Sequence, residues 1–200
     1  MKISVIITNY NYGKWLRRCI RSLLNQNFDS YEIIIVDDLS TDNSRNILLE
    51  YENNPKINII FNSVNLGVGA SSTIGAKQAL GKYIVRVDAD DYVHSDFLKV
   101  LYLYASFNNS DAIACSYQEV DFKENILKVK TQEEHPLACA ILYKTDILEY
   151  LGFWDSSLRI DEDINMLKRF NKEFVLEHIN IPLYRYFKHP DSLSKHRTNE

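Results

Sequence analysis

The sequence predicts an α/β fold: a mixed, mainly parallel sheet flanked by helices. Three observations predict it. Short apolar runs rich in β-branched residues alternate with amphipathic stretches through the first half of the chain. Those stretches are long enough to be helical crossovers, which parallel strands require. Three of the apolar runs also end in polar clusters, and open sheets of this kind bind ligands beyond the C-terminal ends of their strands.

The first run, KISVIIT at 2–8, is a continuous β-branched run, the pattern of a strand buried on both faces. In YGKWLRRCIRSLLNQ, residues Trp15, Leu16, Cys19, Ile20, Leu23 and Leu24 recur at helical spacing and form one apolar face. YEIIIVDD at 31–38 is a second buried strand, and STDNSRNILLEYE offers Ser and Asp caps ahead of a helix. KINIIFN at 56–62 is a third strand. NLGVGASSTIGAKQALG gives a loop and a helix closed by Gly81, and KYIVRV at 82–87 is the fourth strand.

The second half is less regular. SDFLKVLYLYASF reads as a helix capped by Ser95, and AIACSYQEVDF with NILKVK alternates as a hairpin does. PLACAILYK is another buried strand or short apolar element. DEDINMLKRFNK places Ile164, Leu167 and Phe170 at helical spacing. FVLEHINIPLYRYF reads as late strands, one demoted to an edge position by Pro182. No linker, repeat or low-complexity tract interrupts the 200 residues, which suit a single domain.

Composition excludes several classes. With 46% apolar and 25% charged residues the chain is of ordinary globular type, and a net charge of −4 argues against a nucleic-acid partner. Cys19, Cys115 and Cys139 form no CxxC pair, so buried free thiols in a reducing compartment are expected. ISVII is too short for a leader, and no apolar run approaches a spanning helix. A cytoplasmic location follows as the expectation. The NNS sequon at 108–110 has no meaning there.

The fourth strand ends in Asp88, Asp90 and Asp91, and like charges so close repel unless a cation joins them. One reading is a polar loop in which Asp91 or Asp96 caps the next helix. A calcium loop needs Gly at its sixth position and an acid at its twelfth; Val93 and Lys99 stand there, which excludes it. The third reading is a divalent cation shared between carboxylate and phosphate oxygens. Asp88 and Asp90, two apart in an extended segment, face the same way.

Read with its neighbours, the cluster resembles a known family. SVIITNYN at 4–11, EIIIVDDLSTDNS at 32–44, NLGVGASSTIGAKQALGKYIVRVDADD at 65–91, LGFWDSSLRIDEDINMLKRF at 151–170 and LYRYFKHPDSLS at 183–194 are similar, in order, to the family 2 glycosyltransferases. The resemblance implies the GT-A fold, a Rossmann-like sheet, with residues 1–91 as the nucleotide-binding half and 92–200 as the acceptor and catalytic half. Thr8 and Tyr10 would then line the base pocket, where stacking on Tyr10 is worth about 1–3 kcal/mol. Asp38 would accept a hydrogen bond from the base imide, while Asp37 holds loop backbone groups. Asp88 would meet the ribose and Asp90 would ligate Mn2+ or Mg2+ on the donor diphosphate. Asp91 either supports that ligand from behind or caps the next helix. His189 is either a further metal ligand or an exposed loop residue.

The same resemblance makes Asp163, of the pair Glu162-Asp163, the base that takes the acceptor proton. By its position alone, an acid at a helix N-terminus is also what the helix dipole favours. Asp155 and Trp154 shape the acceptor side or pack. The implied reaction is inverting transfer of a hexosyl or N-acetylhexosaminyl group from a nucleotide-sugar, UDP first and dTDP second, to a glycan or lipid-linked hydroxyl in polysaccharide biosynthesis. Peripheral contact with the inner face of the membrane fits a lipid-linked acceptor. Ser72-Thr73 depart from the family's Arg-Asn, which puts the donor nucleotide in doubt, and Asn165 replaces an acid. No spanning segment or QxxRW element accompanies the motifs, so addition of one sugar is expected over polymerisation. A sugar nucleotidyltransferase would want a Gly-rich basic loop where TNYNYGKW stands, and an aspartyl phosphatase would carry its D-x-D after the first strand. A nucleotide-sugar sensor or scaffold of the same fold is the alternative.

Overall fold

A computed structural model describes residues 1–137, 139–158 and 161–189. In chain order the elements are β1 (Ile3–Asn9), α1 (Gly13–Leu24), β2 (Tyr31–Asp37), α2 (Ser44–Leu49), β3 (Ile57–Phe61), α3 (Val68–Lys77) and β4 (Tyr83–Arg86). There follow β5 (Tyr92–Val93), α4 (Phe97–Asn108), β6 (Ala112–Val120), β7 (Ile126–Lys130), β8 (Ile141–Lys144), α5 (Thr145–Tyr150), α6 (Glu162–Phe170) and β9 (Leu176–Phe187). The nine strands among the described residues form one sheet, ordered β3-β2-β1-β4-β8-β6-β9-β5, with β7 paired to β6.

The expected α/β architecture is present, with β1, β2, β3 and β4 mutually parallel. The apolar character of the inner strands β1 and β2 has a direct cause, because both faces of the sheet are covered there. Val5, Ile7, Ile33 and Ile35 pack with Leu16, Cys19, Ile20 and Leu23 of α1. Ile6, Ile34, Val36 and Ile84 face the opposite layer, with Trp154, Met166 and Phe170. Burying a side chain of this size is worth about 1.5–3 kcal/mol, so these two layers dominate the stability of the first half.

The second half joins the same sheet through β8, antiparallel to both β4 and β6. The predicted hairpin forms as β6–β7. The late segment differs from expectation: it is one long strand, β9, parallel to β6 and antiparallel to β5. Pro182 is therefore not on an edge strand. It sits where the register slips, with Cys115 opposite Ile179, Ser116 opposite Pro182 and Tyr117 opposite Tyr184. A bulge tolerates a residue with no N–H to give.

Other local expectations are corrected. α3 ends at Lys77, and Gly81 does not close it; a Cβ there would lie 2.5 Å from the Ser4 nitrogen, so Gly81 is required by close approach to β1. Ser95 does not cap α4; its carbonyl accepts the Asn27 N–H, and Asp96 occupies the cap position without a capping side-chain bond. In α6 the buried face is Glu162, Asp163, Met166 and Phe170, while Ile164 is 38% exposed. Asp42 does serve as a cap, and for two helices: its carboxylate accepts the N–H of Gly13 and of Ser44, the first residues of α1 and α2. All three cysteines are free and buried.

Candidate active site

Parallel pairing brings the C-terminal ends of β1, β2 and β4 to one edge, and the polar clusters meet there. Asp37 holds its own loop, as expected: its carboxylate accepts from Asn9 Nδ2 at 2.7 Å, Ser40 Oγ at 2.6 Å and the Ser40 N–H. Asp38 also holds backbone. It accepts the N–H of Leu66 at 2.8 Å, the N–H of Gly67 at 2.7 Å and the amide of Asn62 at 2.8 Å. A carboxylate offers about four acceptor positions, and these groups take three of those of Asp38. Thr8, next to the last residue of β1, stands opposite Val36, and Tyr10 is 46% exposed.

After β4, oxygens of Asp88, Asp90 and Asp91 lie within 4.8 Å of one another. Their surroundings divide them. Asp91 is tied to β9: the Tyr184 hydroxyl donates to it at 2.6 Å and the Phe187 N–H at 2.8 Å. It caps no helix. The same Tyr184 oxygen accepts the Asp88 N–H at 3.2 Å. Asp90 meets His189, whose Nε2 lies 2.8 Å from Asp90 Oδ2, while Arg18 Nη2 donates to the Asp90 carbonyl at 2.9 Å. The Arg18 guanidinium is itself held over the rings of Phe187 and Tyr92, at 4.2 and 4.5 Å.

His189 is not an exposed loop residue. It is 3% exposed, stacked on Phe187 with ring centroids 5.2 Å apart and flanked by Trp15 and Tyr12. Its Nδ1 is buried with no hydrogen-bond partner among the described residues. Burial pushes the Asp88 carboxyl up to about 6, with Arg86 pulling it down and Asp90 pushing it further up. Asp91 rises well above the usual range through burial and the charges of Asp90 and Asp88.

These residues fit a hard divalent cation. The donors that cluster are the carboxylate oxygens of Asp88, Asp90 and Asp91, hard oxygen ligands of the kind Mg2+ or Mn2+ takes, and His189 adjoins them through Asp90.

Asp163 comes to the same edge from the second half. It lies in the first turn of α6 and is 5% exposed. Its neighbour Glu162 is bound by Arg86 Nη1 at 3.0 Å, and Arg86 Nη2 reaches Asp88 Oδ1 at 3.7 Å. Sequence reading missed Arg86 as a site residue. The signal was present: a charge inside the apolar run YIVRV, since Arg is almost never buried unpaired. Burial alone would lower the Arg86 pKa, but the charge of Glu162 and its neighbours outweighs it and raises it. Tyr184, Arg18 and Trp15 were missed too, and nothing in their local sequence marks them.

Two of the departures from family pattern, Thr73 and Asn165, have structural uses. The Thr73 hydroxyl donates to the Trp154 carbonyl at 2.8 Å, and the Ser72 hydroxyl is buried with no partner among the described residues. Asn165 accepts from Arg169 Nε, whose other nitrogens bind the carbonyls of Leu151 and Phe153. Asp155 accepts from Ser157 and shapes its own turn, while Trp154 packs in the core beneath Arg86.

The comparisons agree with this geometry. The family model "Glycosyl transferase family 2" matches residues 4–188. GlyA, a glycosyltransferase of Streptococcus pneumoniae serotype 4, is 30% identical over 97% of this chain and 32% of its own length. The cholesterol galactosyltransferase of Borreliella burgdorferi is 41% identical over 58% of this chain and 32% of its own length. The chain thus spans about a third of the length of these curated relatives. Among solved structures, S. aureus TarS 1-349 in complex with UDP-GlcNAc is similar with a TM-score of 0.85 at 22% identity, over 99% of this chain and 62% of that one. With the sheet order and the conserved shape of that likeness, the fold is GT-A, and the chain belongs to glycosyl transferase family 2.

Proposed function

We propose that this chain is one glycosyltransferase domain, with 1–91 binding the donor and 92–200 supplying the acceptor side and the base. It moves a hexosyl or N-acetylhexosaminyl group from a UDP-sugar to a hydroxyl of a glycan or lipid-linked acceptor, with inversion. The observation that carries this reading is that Arg86 joins the Asp88–Asp90–Asp91 cluster to Glu162, the residue next to buried Asp163 in the first turn of α6. The UDP-GlcNAc complex of TarS supports the choice of donor class.

In this reading Tyr10 stacks on the base, the remaining acceptor position of Asp38 takes the base imide, and Thr8 closes the pocket wall. Asp88 accepts from the ribose hydroxyls. Asp90, with His189, would hold Mn2+ or Mg2+, which when bound neutralises charge on the departing diphosphate. Arg18 fixes the backbone of Asp90 so that its carboxylate keeps one direction. Asp163 accepts the acceptor proton as its oxygen attacks, and its burial keeps competing water away. The place of work is the cytoplasm, with contact to the inner membrane face when the acceptor is lipid-linked. Among the described residues no helix is long and apolar enough to cross a membrane.

A thermal-shift panel of UDP- and dTDP-sugars with and without Mn2+ tests this. A ligand at a hundred times its Kd stabilises by about 2.7 kcal/mol. Stabilisation by UDP-sugars that needs Mn2+ supports the reading, and indifference to every nucleotide refutes it. Binding without turnover on any acceptor or water would favour the sensor instead.

A further inference from the structure

We infer that Arg86 is a positioning residue that transmits occupancy of the donor side to the helix carrying Asp163. This rests on the donor reading of Asp88 and Asp90 given above. Arg86 is the last residue of β4, and its side chain is buried. Its fork has two acidic partners on different parts of the chain: Glu162 at 3.0 Å from Nη1 and Asp88 at 3.7 Å from Nη2. The guanidinium lies over the Trp154 ring at 5.2 Å, and the Trp154 carbonyl is fixed by Thr73. The cation therefore has little freedom except to divide itself between the two acids.

That division is where the coupling arises. Without ligand, Asp88 competes for Arg86 from a crowded acidic cluster. When ribose hydroxyls and a divalent cation satisfy that cluster, the claim of Asp88 weakens and Arg86 binds Glu162 more closely. Glu162 is the first residue of α6, and Asp163 follows it about 100° around the helix. Holding Glu162 against β4 fixes the rotation of the first turn, and so the direction of the Asp163 carboxylate. The close approach of α3 supports the same turn, since a Cβ at Gly69 would meet Glu162 Cβ at 3.2 Å. Arg suits this role because its planar fork addresses two acids at once, which the single ammonium of Lys does not.

The test is amide hydrogen exchange of the whole chain with and without UDP plus Mn2+, in wild type, Arg86→Lys and Glu162→Gln. In wild type the ligand is expected to slow exchange both at 88–91 and at 162–166, the latter by about threefold or more. In both variants the slowing at 88–91 persists and that at 162–166 disappears. General destabilisation would speed exchange in both states and leave the ligand-induced difference, so it does not mimic this result. Equal slowing at 162–166 in wild type and both variants overturns the inference while leaving the donor reading intact. No slowing at 88–91 in wild type refutes the donor reading, and this coupling with it.

Discussion

Replacing Tyr184 by Phe removes a single oxygen that joins the last strand to the acidic loop. That oxygen is fully buried; it donates to Asp91 Oδ2 at 2.6 Å and accepts the Asp88 N–H at 3.2 Å. The ring contact with Phe97, at 6.1 Å between centroids, is retained by Phe. A hydrogen bond to a charged acceptor contributes about 1.5–3 kcal/mol, and a backbone donor left without its partner adds about 1 kcal/mol. The expected loss is about 2–4 kcal/mol, read as a lower urea midpoint at unchanged slope. The loss should also depend on pH. Tyr184 favours the ionised form of Asp91, whose folded pKa stands well above its ordinary value. The deficit is therefore smallest at acid pH, where Asp91 is protonated with or without the hydroxyl, and grows as pH rises through that pKa. A loss below about 0.5 kcal/mol at every pH, the size of an ordinary surface substitution, would refute this account of how β9 is fastened to the site.

Three further outcomes are expected. The Asp88 carboxyl, raised from 3.8 to about 6 chiefly by burial, makes its ionised form unfavourable in the fold. Stability of the ligand-free protein should fall as pH rises from about 4 through 6; Asp88→Asn should flatten that fall, by about 1–2 kcal/mol after screening of a side chain 35% exposed. Gly81→Ala places a Cβ 2.5 Å from the Ser4 nitrogen, so β1 or its neighbour must shift, at a cost of about 1–3 kcal/mol in chemical denaturation. Asp90→Asn removes the acid facing His189, and the Mn2+-dependent part of UDP affinity measured by calorimetry should drop by about tenfold or more, while affinity without metal holds.

The first half was readable because its physics is local. A parallel strand covered on both faces is mostly apolar and β-branched, and the centres of β1 and β2, Val5–Ile7 and Ile33–Val36, are, while β3 at the sheet edge carries Asn58 between its isoleucines. β9 was not readable, because its identity depends on which strands lie beside it. Leu176–Phe187 looks like two pieces broken by Pro182 until β6 supplies the irregular register that accommodates it. The acid cluster was legible as a cluster, but the extended segment expected to pair Asp88 with Asp90 is instead a turn, closed by the Asp91 N–H on the Asp88 carbonyl, which brings all three acids together. What Asp91 does on the other face depends on Tyr184 and Phe187, almost a hundred residues away in sequence. Arg86 was visible as a charge in an apolar strand, but its partners Glu162 and Asp88 become apparent only when α6 docks. His189 sits in a polar loop sequence, and only the cage of Phe187, Trp15 and Tyr12 buries it.

The central claim is that Asp163 takes the acceptor proton while the acids after β4 hold the donor. It is tested most directly by comparing wild type and Asp163→Asn for UDP affinity in Mn2+ and for release of UDP from the preferred UDP-sugar, with the anomeric configuration of the product read by proton NMR. The account predicts affinity unchanged within about twofold, turnover lower by about 10²–10⁴-fold, and a β-configured product from an α-linked donor in wild type. Turnover at the wild-type rate in Asp163→Asn, or a product with retained configuration, would contradict it.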